Sequence, residues 1–478
     1  MVDLLIRDGL LVTLNAENEV IEDGAVAMSA GRIVAVGSSV DIAAAHPATR
    51  TISARGKAIL PGLIDVHAHA GHGLVKTMGG GDGAKWTAAV ETIYPRGSTP
   101  EFWHADAQLA ALERLKAGVT TGLSVFGAYG SRTDEPIYAD RHCQGYRDIG
   151  VRSVLAVGSS PPPFPQRFAT WQGGQATERD VSFEQQLATC ETVIGRWHGA
   201  DDNAIRIMIS APVWFPGRPD ATQALGDAYL DQAAEMRALS RRHAVGFTQD
   251  GHQKGTIRAV HARGLLGPDA VMSHCIDLDP DEIDAIVATD TKIAHNPSAN
   301  FSIKGRCPAI ELMAAGATVA IGSDGTAPDR SYDMFRHMWQ AMHYHRRHFR
   351  DATILPPGQA LKMITIDAAR ALGLEAELGS LEPGKRGDAI LVNLEAPHLY
   401  PPNMPLYRLM CFASASDVDT VVIGGRVVME GRRVLTIDER AVLETARLEA
   451  EAMLRRTGLH AMLATPENFW GPSRGTRS

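Results

Sequence analysis

Leu60-Pro61-Gly62-Leu63-Ile64-Asp65-Val66-His67-Ala68-His69 is an apolar, β-branched run that ends in two histidines one residue apart. Side chains alternate faces along a strand, so His67 and His69 project to the same side of its C-terminal end. Two imidazoles meeting there supply half of a metal site, because neutral imidazole nitrogen suits zinc and related first-row ions. A bare His-x-His is more often two solvated side chains beside a turn. Here the pair closes a strand that follows Pro61-Gly62, and polar residues recur at later strand ends, so the metal reading is preferred.

Outward from this stretch, residues 57–375 alternate strands and helices, the pattern of a parallel sheet. Thr99-Pro100-Glu101 opens a helix with a cap residue, an early proline and an acidic first turn, and Gly118 ends it. Val119–Val125 then reads as a strand. Asp279-Pro280-Asp281-Glu282 is a capping box before another helix. Thr291–His295 and Ala317–Ser323 are further strands. About eight strand-plus-helix units result, the number that closes a barrel. No Gly-x-Gly-x-x-Gly follows an early strand, which disfavours a doubly wound open sheet.

Residues 1–56 and 376–438 have a different texture, with short strands and turns. Leu4–Arg7 and Leu10–Leu14 are separated by Asp8-Gly9, and Gly424-Gly425 turns Val418–Ile423 into Arg426–Met429. Neither segment is large enough to stand alone, so both ends are expected to build one small β-sandwich beside an α/β (β/α)8 TIM barrel. Residues 439–478 read as an amphipathic helix and tail that serve packing or subunit contact.

Composition narrows the function. The chain has 478 residues, 45% hydrophobic and 21% charged, with a formal net charge of -8. That is the balance of a globular protein without a basic footprint, so neither nucleic acid nor a membrane is an expected partner. Cys143, Cys190, Cys275, Cys307 and Cys411 are dispersed, with no Cys-x-x-Cys, as reduced thiols in the cytoplasm would be. The first nine residues read as a strand and turn rather than a signal peptide.

Three further strand ends carry polar residues: Ser273-His274, His295-Asn296-Pro297 and Ser323-Asp324-Gly325. Asp324 follows an apolar run and Gly325 lets the chain leave at once. An Asx turn is the bland alternative. With His67 and His69 available, the preferred reading is a carboxylate that binds metal and takes a proton from water.

Taken together, these pieces resemble the amidohydrolase superfamily, in its branch of cytosine-deaminase-like and triazine-hydrolase enzymes. The resemblance runs through residues 61–69, Gly118-Val119-Thr120-Thr121, Gly264–Pro268, Ser273-His274-Cys275, His295-Asn296-Pro297-Ser298-Ala299-Asn300, Gly322–Gly325, Leu361–Thr365 and Gly379–Ala389. It implies a metal-containing barrel beside a β-sandwich. It further implies that His67 and His69 are metal ligands, that Asp324 is a ligand and proton acceptor, and that His274 orients the attacking water or shuttles protons.

One departure stands out. The family presents His-x-x-Glu after its fifth strand, the His on the metal and the Glu protonating a substrate ring nitrogen. Here Thr248-Gln249-Asp250-Gly251-His252-Gln253 places Asp250 at the ligand position and Gln253 at the Glu position, with His252 as the alternative ligand. No lysine ends the fourth strand, so a single divalent ion is expected, zinc first, with iron, manganese or cobalt as alternatives.

The candidate substrate contacts are Trp86, His252, Gln253 and His295; Trp86 lies in a loop that lines the substrate mouth in the family. Trp214 and Phe215 are further candidates for the pocket wall. The histidines at 337, 343, 345 and 348 lie on one helix and read as a solvated or interface face. The sequence therefore describes a metal-dependent hydrolase of a non-peptide C–N bond in a small molecule: an amide, urea, carbamate or substituted heterocycle. The alternatives are a deaminase or chlorohydrolase of a purine, pyrimidine or triazine ring, and a non-catalytic barrel that serves as a binding protein. A homo-oligomer, dimer or tetramer, is expected.

Overall fold

A computed structural model describes residues 1–126, 130–217, 221–299 and 301–472. Its centre is an eight-stranded parallel barrel. The strands are β1 (Leu63–Asp65), β2 (Val119–Val125), β3 (Arg152–Gly158), β4 (Ile205–Ala211), β5 (Phe247–Gln249), β6 (Ala270–Ser273), β7 (Lys292–His295) and β8 (Val319–Ile321). Each pairs in parallel with the next. The seam between β8 and β1 is drawn together by Val66 N–H to Ile321 O at 3.5 Å and Asp324 N–H to His67 O at 2.9 Å.

Alternation along the strands produces two apolar layers. Ile64, Leu123, Val154, Met208, Val271, Ala294 and Ala320 form one cluster, while Leu63, Val119, Leu155, Ile207, Met272 and Ile321 belong to the larger core shared with the helices. Both faces of a parallel strand are thus buried, which is why these segments read as continuous apolar runs. The helix Pro100–Lys116 starts as its sequence predicts. Thr99 Oγ1 accepts the Phe102 N–H at 3.2 Å, and Gly118 leaves with φ +79°.

The two chain ends meet in a nine-stranded sheet, ordered 433–434, 426–430, 418–423, 389–393, 57–61, 2–12, 20–29 and 32–38, with 48–53 also paired to 2–12. Lys57–Pro61 belongs to this sheet, and the chain enters the barrel at Gly62. The two strands expected around Asp8-Gly9 are one strand, Val2–Val12. The register shift between Ile6 and Gly9 and the positive φ of Asp8 mark a bulge that absorbs the turn-like dipeptide.

Three features bear on the barrel mouth. A hairpin, Gln166–Gln172 and Gln175–Val181, follows β3, and Trp171 Nε1 donates to Arg96 O at 2.6 Å. The C-terminal helix Glu439–Thr457 packs on Pro100–Lys116, and Gly79 N–H donates to Met462 O at 3.1 Å, so the tail braces the glycine-rich loop after β1. On Met334–Phe349, His343 and His348 are exposed as expected, but His337 and His345 are buried. Spaced by eight residues, the latter two share the apolar stripe of Met334, Met338, Ala341 and Met342. Among the described residues no helix is long and apolar enough to cross a membrane.

Candidate metal centre

The site is built at the C-terminal ends of the strands. Beyond β1 the chain stays extended beside β2: Val125 N–H donates to Ala68 O at 2.7 Å and Ala70 N–H to Val125 O at 2.8 Å. That geometry keeps the rings of His67 and His69 close, with centroids 5.0 Å apart. Asp250 leaves β5, His274 leaves β6 and Asp324 leaves β8. His274 and Asp324 have φ of 65° and 61°. A non-glycine residue in the left-handed region is strained by about 1–3 kcal/mol, and such strain concentrates at functional sites.

These side chains converge. One coordinating atom from each of His67, Asp250, His274 and Asp324 lies within 4.8 Å of the others. Asp250 Oδ1 is 3.1 Å from His67 Nε2 and 3.0 Å from His274 Nε2, and Asp250 Oδ2 is 3.2 Å from His69 Nε2. Asp324 Oδ1 stands 3.1 Å from His69 Nε2, 3.6 Å from His67 Nε2 and 3.8 Å from His274 Nε2. Asp250 is the most open member, with 26% of its side chain exposed, and it accepts the Ser273 hydroxyl at 2.6 Å.

The electrostatics are those of a cation site. Burial opposes a charge on His67, but the carboxylates of Asp250 and Asp324 outweigh it and raise the ring to about 10; His69 is raised for the same reasons. Burial would push Asp250 up, yet His67 and His69 hold it well below the usual carboxylate range. Asp324 is likewise held low, against burial, by Arg330 and His274. His67 Nε2 is buried and makes no hydrogen bond of good geometry. Two carboxylates facing buried imidazole nitrogens at these distances fit a divalent ion of the zinc type.

The other candidates lie around this cluster. His252 is buried, its Nδ1 3.0 Å from Thr256 Oγ1. Burial lowers it to about 3. The four-residue group takes in His274 and leaves out both His252 and the expected ligand His69, but His69 Nε2 still stands 3.2 Å from Asp250 Oδ2 and 3.1 Å from Asp324 Oδ1. Gln253 is half-buried in the turn before the helix Thr256–Ala262, its N–H donated to Thr256 Oγ1 at 2.9 Å. His295 pairs with His345, Nε2 to Nε2 at 3.2 Å. Trp86 is buried and meets His72 edge-on at 5.2 Å, and His72 in turn lies 4.6 Å from the His69 ring. Trp214 packs on Tyr229, centroids 5.2 Å apart. Asn300 lies outside the described residues.

Sequence reasoning missed three contributors. Arg330 places Nη1 2.9 Å from Asp324 Oδ2, with its side chain 5% exposed. His72 sits behind His69; its place three residues on was the available signal. Asp106, on the helix Pro100–Lys116, accepts the N–H groups of Gly71, Gly73 and Leu74 at 2.6, 2.8 and 3.3 Å and fixes the loop that follows His69.

Comparison with known proteins places this architecture. The Amidohydrolase family profile matches residues 58–428. A 5-methylthioadenosine/S-adenosylhomocysteine deaminase of Syntrophobacter fumaroxidans is 30% identical over 456 residues, 94% of this chain and 98% of the relative. A 5'-deoxyadenosine deaminase of Methanosarcina acetivorans is 26% identical over 475 residues, 95% and 99% of the two chains. Among solved structures, a zinc-bound adenosine deaminase from Xanthomonas campestris superposes with a TM-score of 0.81 at 25% identity, covering 95% of this chain and 99% of that one. A zinc-complexed atrazine chlorohydrolase from Arthrobacter aurescens has the same fold, with a TM-score of 0.76 at 20% identity over 94% and 100% of the two chains. With the family profile spanning the whole barrel and curated relatives matching end to end, this chain belongs to the amidohydrolase family and is a metal-dependent enzyme acting on C–N bonds.

Proposed function

We propose that the enzyme hydrolyses an acyclic C–N bond, that of an amide, urea or carbamate, in a small and fairly apolar molecule. What carries this reading is Gln253, three residues after Asp250, which the resemblance to the family's His-x-x-Glu sets in place of its glutamate. Ring deamination requires a protonated ring nitrogen as water attacks the adjacent carbon, and a carboxamide cannot supply that proton at neutral pH. An acyclic bond does not require it.

In this reading His67, His69 and Asp250 hold one divalent ion, with Asp324 Oδ1 as the fourth ligand. When bound, the ion supplies Lewis acidity to the attacking water and the substrate carbonyl. Asp324 accepts the water's proton and delivers it to the leaving nitrogen. His274, 3.0 Å from Asp250 and 3.8 Å from Asp324, orients the water. His252, Gln253 and His295 are the proposed substrate contacts, with Trp86 bracing that wall through His72. Zinc is the proposed ion, supported by the zinc-bound adenosine deaminase.

A second reading, deamination of an adenosine-type nucleoside, is favoured by the names of the relatives. Steady-state rates of the metal-loaded enzyme on amides, ureas and carbamates against adenosine-type nucleosides and free nucleobases separate the two. The first reading expects turnover on the acyclic panel. Ammonia release from a nucleoside with no acyclic turnover overturns it. We place the enzyme in the cytoplasm, in keeping with its five free cysteines. We also propose a homo-oligomer, on the strength of exposed Leu406, Tyr407 and Phe412 on the helix Pro405–Phe412. Light scattering on the purified protein tests that directly.

A further inference from the structure

Asp250 at a position the family gives to histidine adds a negative charge to the site. A divalent ion held by two carboxylates and neutral imidazoles is formally neutralised, and each added anionic ligand weakens its power to acidify water. The structure carries a counterweight. Arg330, in the loop after β8, buries its guanidinium with Nη1 2.9 Å from Asp324 Oδ2, while Nη2 donates to Ala327 O at 2.5 Å. A guanidinium stays charged at any pH the protein meets. The contact is an ion pair, without hydrogen-bond geometry, on Oδ2, whereas Oδ1 is the atom 3.1–3.8 Å from His69, His67 and His274.

We infer that Arg330 is a positioning residue that offsets the charge of Asp250 and holds Asp324 to one-oxygen contact with the ion. Two carboxylates plus one guanidinium carry a net charge of about -1, the same as the single aspartate of a three-histidine site. The substitution at 250 and the arginine at 330 therefore form one arrangement, with Asp324 between them. Arg330 is not a catalytic residue. It acts through Asp324, and its loss releases Oδ2 to become a second ligand atom.

This inference rests on Asp250 and Asp324 being ligands, and its test is the sign of a change in metal affinity. Zinc affinity is measured by chelator competition on the full-length protein, with thermal melting as a check on folding. Arg330→Gln should bind zinc at least tenfold more tightly than the parent while kcat falls. Arg330→Lys keeps the charge and should stay within threefold of the parent affinity. Asp250→Asn should weaken binding, and the Asp250→Asn/Arg330→Gln double variant should return toward the parent. A structural role for Arg330, merely bracing its loop through Ala327, gives the opposite sign. In that case Arg330→Gln loosens zinc and the double variant is worse than either single one, which overturns the inference. An unchanged affinity in Asp250→Asn overturns the ligand reading beneath it instead, whatever Arg330→Gln does.

Discussion

Asp65 accepts the Ser323 backbone N–H at Oδ1, 2.9 Å, and the Ser323 hydroxyl at Oδ2, 2.8 Å. One carboxylate thereby ties the strand that delivers His67 and His69 to the strand that delivers Asp324. It is fully buried and pairs with Arg114 Nη2 at 2.9 Å; Arg114 also donates to Ser124 Oγ, Tyr146 OH and Leu123 O. The closing seam of the barrel is therefore hydrogen-bonded through a buried carboxylate, two residues before His67, whose charge a helix guanidinium balances.

Arg114→Met strips the cation and leaves Asp65 charged and unpaired in the core. Breaking one partner of a buried pair costs about 3–5 kcal/mol, so the denaturation midpoint should fall sharply. The Asp65→Asn/Arg114→Met double variant removes the stranded charge and should recover part of the loss. A double variant no better than Arg114→Met assigns the cost to packing instead.

Asp250→Ala should reduce metal retention more than about 100-fold, beyond the 10–100-fold that follows loss of an outer-shell partner. His252→Ala should fall inside that outer-shell range. Metal content after dialysis against graded chelator decides between them. The reverse order would make His252 the ligand.

Metal uptake should release protons at pH 8. In the metal-free protein His67 is raised to about 10 by Asp250 and Asp324, in spite of burial, so it still holds its proton there. A coordinating imidazole must give that proton up. Calorimetric titrations with zinc in buffers of different ionisation enthalpy should show at least one proton released per ion. The same shift sets a stability trend. A raised folded value contributes stability that is complete below about 6.5 and lost as pH climbs toward 10. The melting temperature of the metal-free protein should therefore decline over that interval.

Gly325→Ala tests how closely the loop after Asp324 is fitted. Gly325 has φ +78°, and a Cβ there would stand 2.5 Å from His72 Nδ1. Gly316, at φ +97°, has nothing within 4 Å of the same position. Alanine at either site pays left-handed strain of about 1–2 kcal/mol. The collision with His72, behind His69, is specific to Gly325. Gly325→Ala should therefore lose activity and metal, while Gly316→Ala loses only stability. Equal activities would show that His72 yields freely.

The parts of this molecule legible in its sequence are those governed by local periodicity. Alternation alone placed His67 and His69 on one side of a strand, and an apolar run stopped by Ser323-Asp324-Gly325 marked a strand end. Asp250 is legible only through the resemblance, as the residue standing at the first position of the family's His-x-x-Glu; the structure has its carboxylate 3.1 Å from His67 and 3.2 Å from His69. Arg330 was invisible because its partner, six residues back, is reached only when an irregular loop through Ala327-Pro328 doubles over the barrel. A run of histidines and arginines hides which helix face carries which, so His337 and His345 read from sequence as part of a solvated or interface face. The wider apolar stripe assigns them inward, His345 against His295 and His337 against Ser298 at 2.9 Å. The bulge at Asp8 imitates a turn, since both need one residue in a left-handed conformation.

The sheet that joins the chain ends also sets a schedule for synthesis. Lys57–Pro61 pairs on one side with Val2–Val12 and on the other with Ala389–Asn393. Its second partner leaves the ribosome roughly 330 residues later, about 15–70 s at the usual 5–20 residues per second. For that time an apolar strand edge stands open beside a growing barrel, a template for pairing with neighbouring chains. A nascent chain stopped at residue 375 should thus aggregate, or depend on a chaperone, even with all eight barrel strands already made.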